Sequence, residues 1–159
     1  MKYTALIIFI FVLIMGVFSS SAYAQNTSAG TAVSISITDK NAKDGSIIIS
    51  TPKGFGLSSI TYDTNMYGVL TEFPAFYLQN QSDTASKPVT SSGRIYVLVS
   101  SINGSIKKND FIPTSTIAGV GQKATRNGMI LGTALEDYSN PNQKITAKIL
   151  VAVNPHFNA

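Results

Sequence analysis

The feature of this sequence that most restricts its fold is an internal repeat. Residues 50–56 read STPKGFG and residues 115–121 read STIAGVG, and four of the seven positions are identical. Looser matches flank both segments in the same order, at an offset of 64 or 65 residues throughout. Such a repeat indicates that one structural unit has been duplicated. The sequence therefore predicts a domain of two related halves, at about residues 32–80 and 89–157.

Both halves have the pattern of short β-strands joined by tight turns. Apolar and polar residues alternate at 32–38 and at 145–153, which indicates half-buried strands. Turn dipeptides such as Asn103-Gly104 and Asn127-Gly128 separate runs that are rich in β-branched residues. We therefore predict an all-β fold, either a small barrel or two interlocked sheets, built from the two pseudo-repeated halves.

Several residues of the repeat are predicted to serve the fold rather than chemistry. Gly and Asn suit the positive φ of tight turns, and Gly beside a strand permits close approach of another backbone. At the repeated corners we expect each glycine to have either positive φ or close packing. The residues assigned structural roles are Gly54, Gly56, Gly119, Gly121, Asn109, Asp110 and Gly132.

The segment 115–121 also has the small, glycine-rich composition of a phosphate-binding loop. In a Walker loop a Lys follows the last glycine directly, and Ser or Thr follows the Lys. Here Gln122 separates Gly121 from Lys123, and the expected context is strand to strand, without a helix N-terminus. Because the segment also occurs twice, we interpret it as a repeated corner of the fold.

Residues 1–24 have the order of a secretory signal peptide. A basic start precedes an apolar run at 3–18, and Ala22-Tyr23-Ala24 matches a cleavage pattern. The run is shorter than the roughly 20 residues of a spanning helix, so cleavage is favoured over an uncleaved anchor. We expect an exported protein that is extracellular, periplasmic or at the cell surface, with membrane contact only through 3–18 if uncleaved. Residues 25–31 would be a flexible lead-in to a single β domain at 32–157.

Composition argues against several classes of function. The chain has no cysteine, which excludes a disulfide framework, a thiol nucleophile and a thiolate metal site. Its net charge is +4, but the basic residues are scattered and do not form the stripe of a nucleic-acid binder. With one histidine and no cysteine, a zinc site is not expected. We predict no cofactor, no metal and no nucleic-acid partner.

The polar residues that could carry catalysis do not form a catalytic pattern. His156 lies three residues from the end of the sequence, where packing rarely holds a side chain in place. Glu136 and Asp137 are adjacent, and neighbours on a strand point to opposite faces. The sequence therefore favours a protein that is not an enzyme.

Tyrosines leave a carbohydrate-binding module open as an alternative. Tyr62, Tyr67, Tyr96 and Tyr138, together with Tyr77, could line a sugar-binding surface. Aromatic residues on strands more often pack in the core or in cross-strand pairs. Core packing is the favoured interpretation.

The second half resembles a known family. GRIYVLVSSINGSIKKNDFI, AGVGQKA and ILGTALED resemble the C-terminal β-domains of phage tail and neck appendage proteins, a pattern also found in exported bacterial proteins. The resemblance covers about residues 40–157 and departs from the family at Ser105, Asn109 and Ala118, where Pro, Gly and Pro are usual. It implies an assembly role and a homo-oligomer, which is a trimer in the phage relatives.

Some phage members of the family cut themselves at a site near acidic residues. The analogous position here is Ser82-Asp83 in the polar loop 80–88, and no second acid follows nearby. An autoproteolytic assembly domain is therefore a second alternative. The favoured function is a non-enzymatic, exported structural, adhesive or assembly domain whose ligand and partner the sequence does not name.

Overall fold

The computed structural model describes residues 28–80 and 85–159. These residues form ten β-strands and no helix, so the predicted all-β class is confirmed. No helix in the described ranges is long and apolar enough to cross a membrane. The strands are β1 (Ser28–Ile35), β2 (Ile47–Thr51), β3 (Gly54–Leu57), β4 (Met66–Leu70), β5 (Pro74–Leu78), β6 (Lys87–Thr90), β7 (Gly93–Ser100), β8 (Phe111–Ile112), β9 (Gly128–Ala134) and β10 (Thr146–Asn158).

The strands belong to one hydrogen-bonded sheet rather than to two separate sheets. Its order is β3-β2-β4-β6-β1-β7-β10-β9-β8, and β5 pairs with β1 outside this path. Neighbours along the path are antiparallel, whereas β5 runs parallel to β1. Strands β1, β2, β4 and β6 correspond to β7, β8, β9 and β10. The sheet order β2-β4-β6-β1 is therefore followed by the same order reversed, β7-β10-β9-β8, and the two sets meet where Ala29 pairs with Arg94.

Equivalent hydrogen bonds show the repeat in three dimensions. The amide of Gly45 donates to the carbonyl of Leu70, and the amide of Asn109 donates to that of Ala134, both at 2.8 Å. Each member of the second pair lies 64 residues after its counterpart in the first. The turn before β2 and the turn before β8 are therefore the same structural unit.

The corner sequences that revealed the repeat also share one backbone pairing. Ser50 pairs with Phe55 in the hairpin of β2 and β3. In the second half the amide of Ser115 donates to the carbonyl of Val120 at 2.9 Å, with each residue 65 positions after its counterpart. STIAGVG is thus a tight corner between backbone segments, as the sequence predicted.

The glycines of these corners have separate roles. Gly54 and Gly119 have φ of 112° and 70°, as predicted. At Gly121 an added Cβ would lie 2.6 Å from a side-chain carbon of Ile112, so the close-packing alternative holds there. The same prediction is wrong for Gly56, which has neither positive φ nor any neighbour closer than 3.9 Å to an added Cβ. Gly56 is an ordinary member of β3, and the nearest atom to its added Cβ is the hydroxyl oxygen of Thr38, in the segment that borders the outer edge of β3.

Glycine in a β-strand recurs at a second pair of positions. Gly68 in β4 and Gly132 in β9 are 64 residues apart, and each lies opposite a carbonyl of the neighbouring strand. A Cβ at Gly68 would meet the carbonyl oxygen of Thr90 at 2.5 Å, and one at Gly132 would collide with that of Ala152. The structural role predicted for Gly132 is therefore close approach of two backbones.

The two halves share one hydrophobic core. Alternate residues of a strand point to opposite faces, so Ile47 and Ile48 enter different clusters. Ile47 joins the larger cluster, where it is buried with Val97 of β7 and Leu131 of β9. Ile48 joins a smaller cluster with Leu70 of β4 and Val89 of β6. The larger cluster contains residues from both halves, so each half completes the core of the other.

Both ends of β1 differ from the sequence-based expectations, and some predicted segments lie outside the described residues. β1 begins at Ser28, so residues 28–31 are strand and not lead-in, because Ser28 and Thr31 pair with β5. β1 ends at Ile35, whereas alternation predicted a strand to residue 38. The signal segment at 1–24, the start of the lead-in, and Ser82-Asp83 lie outside the described residues.

Candidate assembly surface

The polar residues considered for catalysis make structural contacts and do not converge. Nδ1 of the exposed His156 lies 2.7 Å from the carbonyl oxygen of Asn154, two residues earlier. Glu136 accepts a hydrogen bond from the amide of Leu150 at 2.9 Å. Within residues 28–80 and 85–159 there is no group of three His, Asp or Glu placed to hold a metal ion.

Asp137 and Asp110 fasten the turn that precedes β8. Asp137 accepts the amide of Lys108 at 2.7 Å and pairs with the ammonium of Lys107 at 3.0 Å. These two contacts lower the pKa of Asp137 below its ordinary value. Burial alone would raise the pKa of Asp110, but the amide of Lys107 and the ammonium of Lys123 outweigh burial and lower it. Both carboxylates stabilise a turn, and the structural role predicted for Asp110 is observed.

Tyr62 is part of the interior rather than of an exposed binding surface. Only 9% of the residue is exposed, and its φ of 56° places it in the left-handed region. Its hydroxyl oxygen accepts hydrogen bonds from the amides of Thr125 at 2.7 Å and Arg126 at 3.1 Å. The guanidinium of Arg126 lies 4.6 Å from the ring centre. Tyr62 therefore holds the segment before β9 in place.

The other candidate tyrosines lie on different elements and do not form one surface. Tyr67 on β4 packs edge-on against Phe55, with ring centres 4.9 Å apart. The hydroxyl of Tyr138, in the connection from β9 to β10, donates to the carbonyl of Ile145 at 2.9 Å. Tyr96 is half-buried on β7. The arrangement agrees with packing roles for these rings.

A buried carboxylate supports the loop that carries Tyr62. Asp63 accepts the hydroxyl of Ser58 at 2.6 Å and the amide of Asn65 at 2.9 Å. Its own amide donates to the hydroxyl of Thr114 in the second half at 2.9 Å. Every one of these contacts is to a neutral group, and the network fixes a turn, which is a common role for a short acidic side chain.

The most unusual surface of the molecule lies on β5 and the residue before it. Phe73, Phe76 and Leu78 are 60%, 71% and 64% exposed. We call these three side chains, with the outer backbone edge of β5, the β5 surface. Clustered exposed apolar residues of this kind mark contact sites more often than singly scattered ones do.

β5 is an addition to the repeat rather than a part of it. β1, β2, β4 and β6 correspond in order to β7, β8, β9 and β10. The connection between β9 and β10, which corresponds to the one that contains β5, has no strand. The exposed apolar side chains of the β5 surface therefore lie on an element that the duplicated fold does not require.

β5 is held firmly along its inner edge. It runs parallel to β1 and pairs Pro74 with Ser28 and Leu78 with Val33, with a register shift of one residue in β1 between Ser28 and Thr31. The hydroxyl of Tyr77 lies 2.9 Å from that of Ser34, across the same strand pair. Among the residues that the structure describes, β1 is the only strand paired with β5, so its outer edge faces away from the sheet.

The outer edge of β5 lacks the usual protection against pairing. Natural edge strands commonly carry a Lys, a bulge or a central Pro that blocks another strand. Residues 73–80 contain no charged side chain, and Pro74 is only the first residue of the strand. The apolar sequence of β5 carries no signal for its exposure, because burial depends on which strands cover it.

No protein-family model matches this chain, and no curated protein sequence matches it. The interpretation of the β5 surface therefore rests on its own residues: an ordered strand, an unprotected edge and three exposed apolar side chains.

Proposed function

We propose that this protein is a non-enzymatic, exported structural or assembly domain that acts by contact through the β5 surface. The observation that carries the proposal is that the exposed apolar side chains lie on β5 and on the residue just before it, and that β5 has no counterpart in the repeat. A duplicated fold that needs only its common strands gains nothing in stability from an exposed Phe73 or Phe76. A partner that covers them explains their presence.

The energetic consequence of covering this surface is substantial. A phenylalanine buries on the order of 150–250 Å² when it is covered completely. Phe76 is 71% exposed, and covering its exposed part would contribute about 1–2 kcal/mol. Phe73 and Leu78 add to this, so the surface is suited to association rather than to remaining in water.

The placement of the other candidate residues supports contact over catalysis. Glu136, Asp137 and His156 each bond to backbone or to a lysine of their own surroundings. The burial of Tyr62 speaks against the carbohydrate-binding alternative, because the ring has little surface left to stack on a sugar. No observation favours either alternative function over assembly.

The proposal is tested with variants of the protein expressed in the organism that makes it. The double variant Phe76→Lys/Leu78→Lys is compared with wild type and with Phe157→Lys, a matched control because Phe157 is also exposed, at 65%, on another strand. Gradient sedimentation of native extracts measures the fraction of the protein in large assemblies. We expect the fraction of the protein in large assemblies to fall for the double variant and to stay at the wild-type value for Phe157→Lys.

Two results would overturn the proposal. One is an identical sedimentation profile for the double variant and wild type. The other is a specific hydrolytic activity of the purified protein that disappears on Glu136→Ala, Asp137→Ala or His156→Ala. Circular dichroism of each variant establishes that the fold is retained.

A further inference from the structure

We propose that the partner of the β5 surface is the β5 surface of a second copy, paired antiparallel about a twofold axis at Phe76. This inference rests on the proposed function and names the partner that it requires. Two sheets of ten strands would then continue into each other through β5. An isologous contact of this kind closes on itself and gives a dimer.

The geometry of such a pair determines which residues meet. A twofold axis perpendicular to the sheet places residues of the same face opposite each other. Alternate residues share a face, so Pro74, Phe76 and Leu78 lie on one side of the strand. With the axis at Phe76, the two Phe76 rings face each other, and each Pro74 lies opposite the Leu78 of the other copy. The register thus joins apolar residues with apolar residues and creates a cross-strand aromatic pair.

The lack of charge on β5 favours the β5 strand of a second copy as the partner, rather than a charged segment of another protein. Residues 73–80 offer no counter-charge to an acidic or basic segment. The nearest charge is the exposed Glu72, which in this register lies opposite residue 80 of the other copy. The two Glu72 side chains are then about 27 Å apart along the strands. This exceeds the Debye length of about 8 Å at physiological ionic strength, so the two copies do not repel each other there.

The inner contacts of β5 prepare its outer edge for pairing. β1 fixes the register of the strand, and Tyr77 bonds to Ser34 on the face away from Phe76. The amide of Glu72 donates to Asp44 at 2.9 Å and sets the direction in which the strand begins. Because the backbone is already extended and held, pairing requires little additional ordering.

The size of the surface determines how strong the dimer is. Three side chains and one strand edge from each copy bury less than the roughly 1,200 Å² at the lower limit of specific, stable interfaces. We therefore expect a dimer that forms at high concentration and dissociates on dilution. In the assemblies of the proposed function, high local concentration would keep the pairs formed.

Cysteine cross-linking reads the register directly, because the natural chain has no cysteine. In the proposed register residue 73 of one copy lies opposite residue 79 of the other. Phe73→Cys and Gln79→Cys are purified separately and oxidised alone or mixed, and both keep Phe76. We expect a disulfide-linked dimer only in the mixture, since two residues 73 are about 20 Å apart. Cross-linking of either variant alone to the same extent as the mixture would overturn the register.

Light scattering on the purified protein tests the dimer itself. The average mass of wild type and of Phe157→Lys is expected to rise from that of one chain to that of two as concentration increases. The mass of Phe76→Lys is expected to stay at that of one chain. An unchanged thermal midpoint of Phe76→Lys excludes unfolding as the cause. A mass of one chain for wild type at every concentration, or a mass of three chains, would overturn self-pairing.

The two proposals fail in different ways. If the purified wild type stays monomeric but the double variant Phe76→Lys/Leu78→Lys is lost from the large assemblies of native extracts, self-pairing is wrong and the proposal that the β5 surface makes the contact stands. If neither measurement depends on β5, both are wrong.

Discussion

Gly45 and Asn109 occupy the same position in the two halves of the fold. Their φ angles are 87° and 73°. The amide of Gly45 donates to the carbonyl of Leu70, and the amide of Asn109 donates to the carbonyl of Ala134, both at 2.8 Å. Asn is the residue after Gly that most readily adopts this left-handed conformation. The substitution of Gly by Asn in the second half therefore preserves the turn, as the sequence predicted.

Asn109→Ala is expected to destabilise the protein by about 1 kcal/mol, because alanine is strained at this φ. Asn109→Gly should leave stability within a few tenths of a kcal/mol of wild type. Urea unfolding of both variants measures the difference, with the exposed neighbour Lys108→Ala as control. Equal stability of the alanine and glycine variants would show that the backbone conformation at Asn109 is not a constraint.

Gly132→Ala and Gly56→Ala should differ sharply although both glycines lie on strands. A methyl group at Gly132 collides with the carbonyl of Ala152, and the two strands must separate, which we expect to cost about 3 kcal/mol. A methyl group at Gly56 would make only an ordinary contact, 3.9 Å from the hydroxyl oxygen of Thr38, and its cost should be below about 0.5 kcal/mol. Thermal unfolding measures both, and a tolerated Gly132→Ala would contradict the close approach of β9 and β10.

Tyr62→Phe is expected to destabilise the protein by about 2 kcal/mol. The change removes the oxygen that accepts the amides of Thr125 and Arg126 while keeping the ring. Tyr77→Phe is the matched control, since within residues 28–80 and 85–159 its hydroxyl pairs with the partly buried hydroxyl of Ser34 and with no backbone amide. Chemical denaturation should show a clearly larger loss at Tyr62, and a loss no greater than that of the control would rule out this supporting role.

Acid should remove the stabilisation that Asp110 and Asp137 provide. Both carboxyls have a pKa lowered in the folded protein, so their contribution is fully present above the unfolded-state pKa of about 3.9. It is lost as pH falls through the lower, folded-state value. Asp110→Asn should therefore lose stability at pH 7 and depend less on pH below about 4 than wild type does. Urea midpoints across pH 2–7 test this, and parallel curves for variant and wild type would contradict it.

The sequence predicted features that depend on local residues. The repeat identified equivalent turns because Gly54, Gly119 and Asn109 encode backbone conformations that few other residues adopt. It also assigned a structural role to Asp110, whose short acidic side chain accepts the nearby amide of Lys107 in a turn.

Features set by distant pairing could not be predicted in this way. Residues 28–31 have a polar composition typical of a linker, but pairing with β5 makes them a strand. Gly56 matches Gly121 in sequence, yet only Gly121 has a neighbour that packs against it. Exposure of Phe76 likewise follows from the position of β5 beside β1 and not from the apolar run itself.

Hydrogen exchange of peptides from native assemblies tests most directly whether β5 is the contact surface. Peptides that cover residues 73–80 are compared between assembled wild type and purified Phe76→Lys, with the end of β10 around Phe157 as internal reference. We predict slower exchange at 73–80 in the assembly and equal exchange at the reference. Equal exchange at 73–80 in the two samples would contradict the proposal that this strand makes the contact.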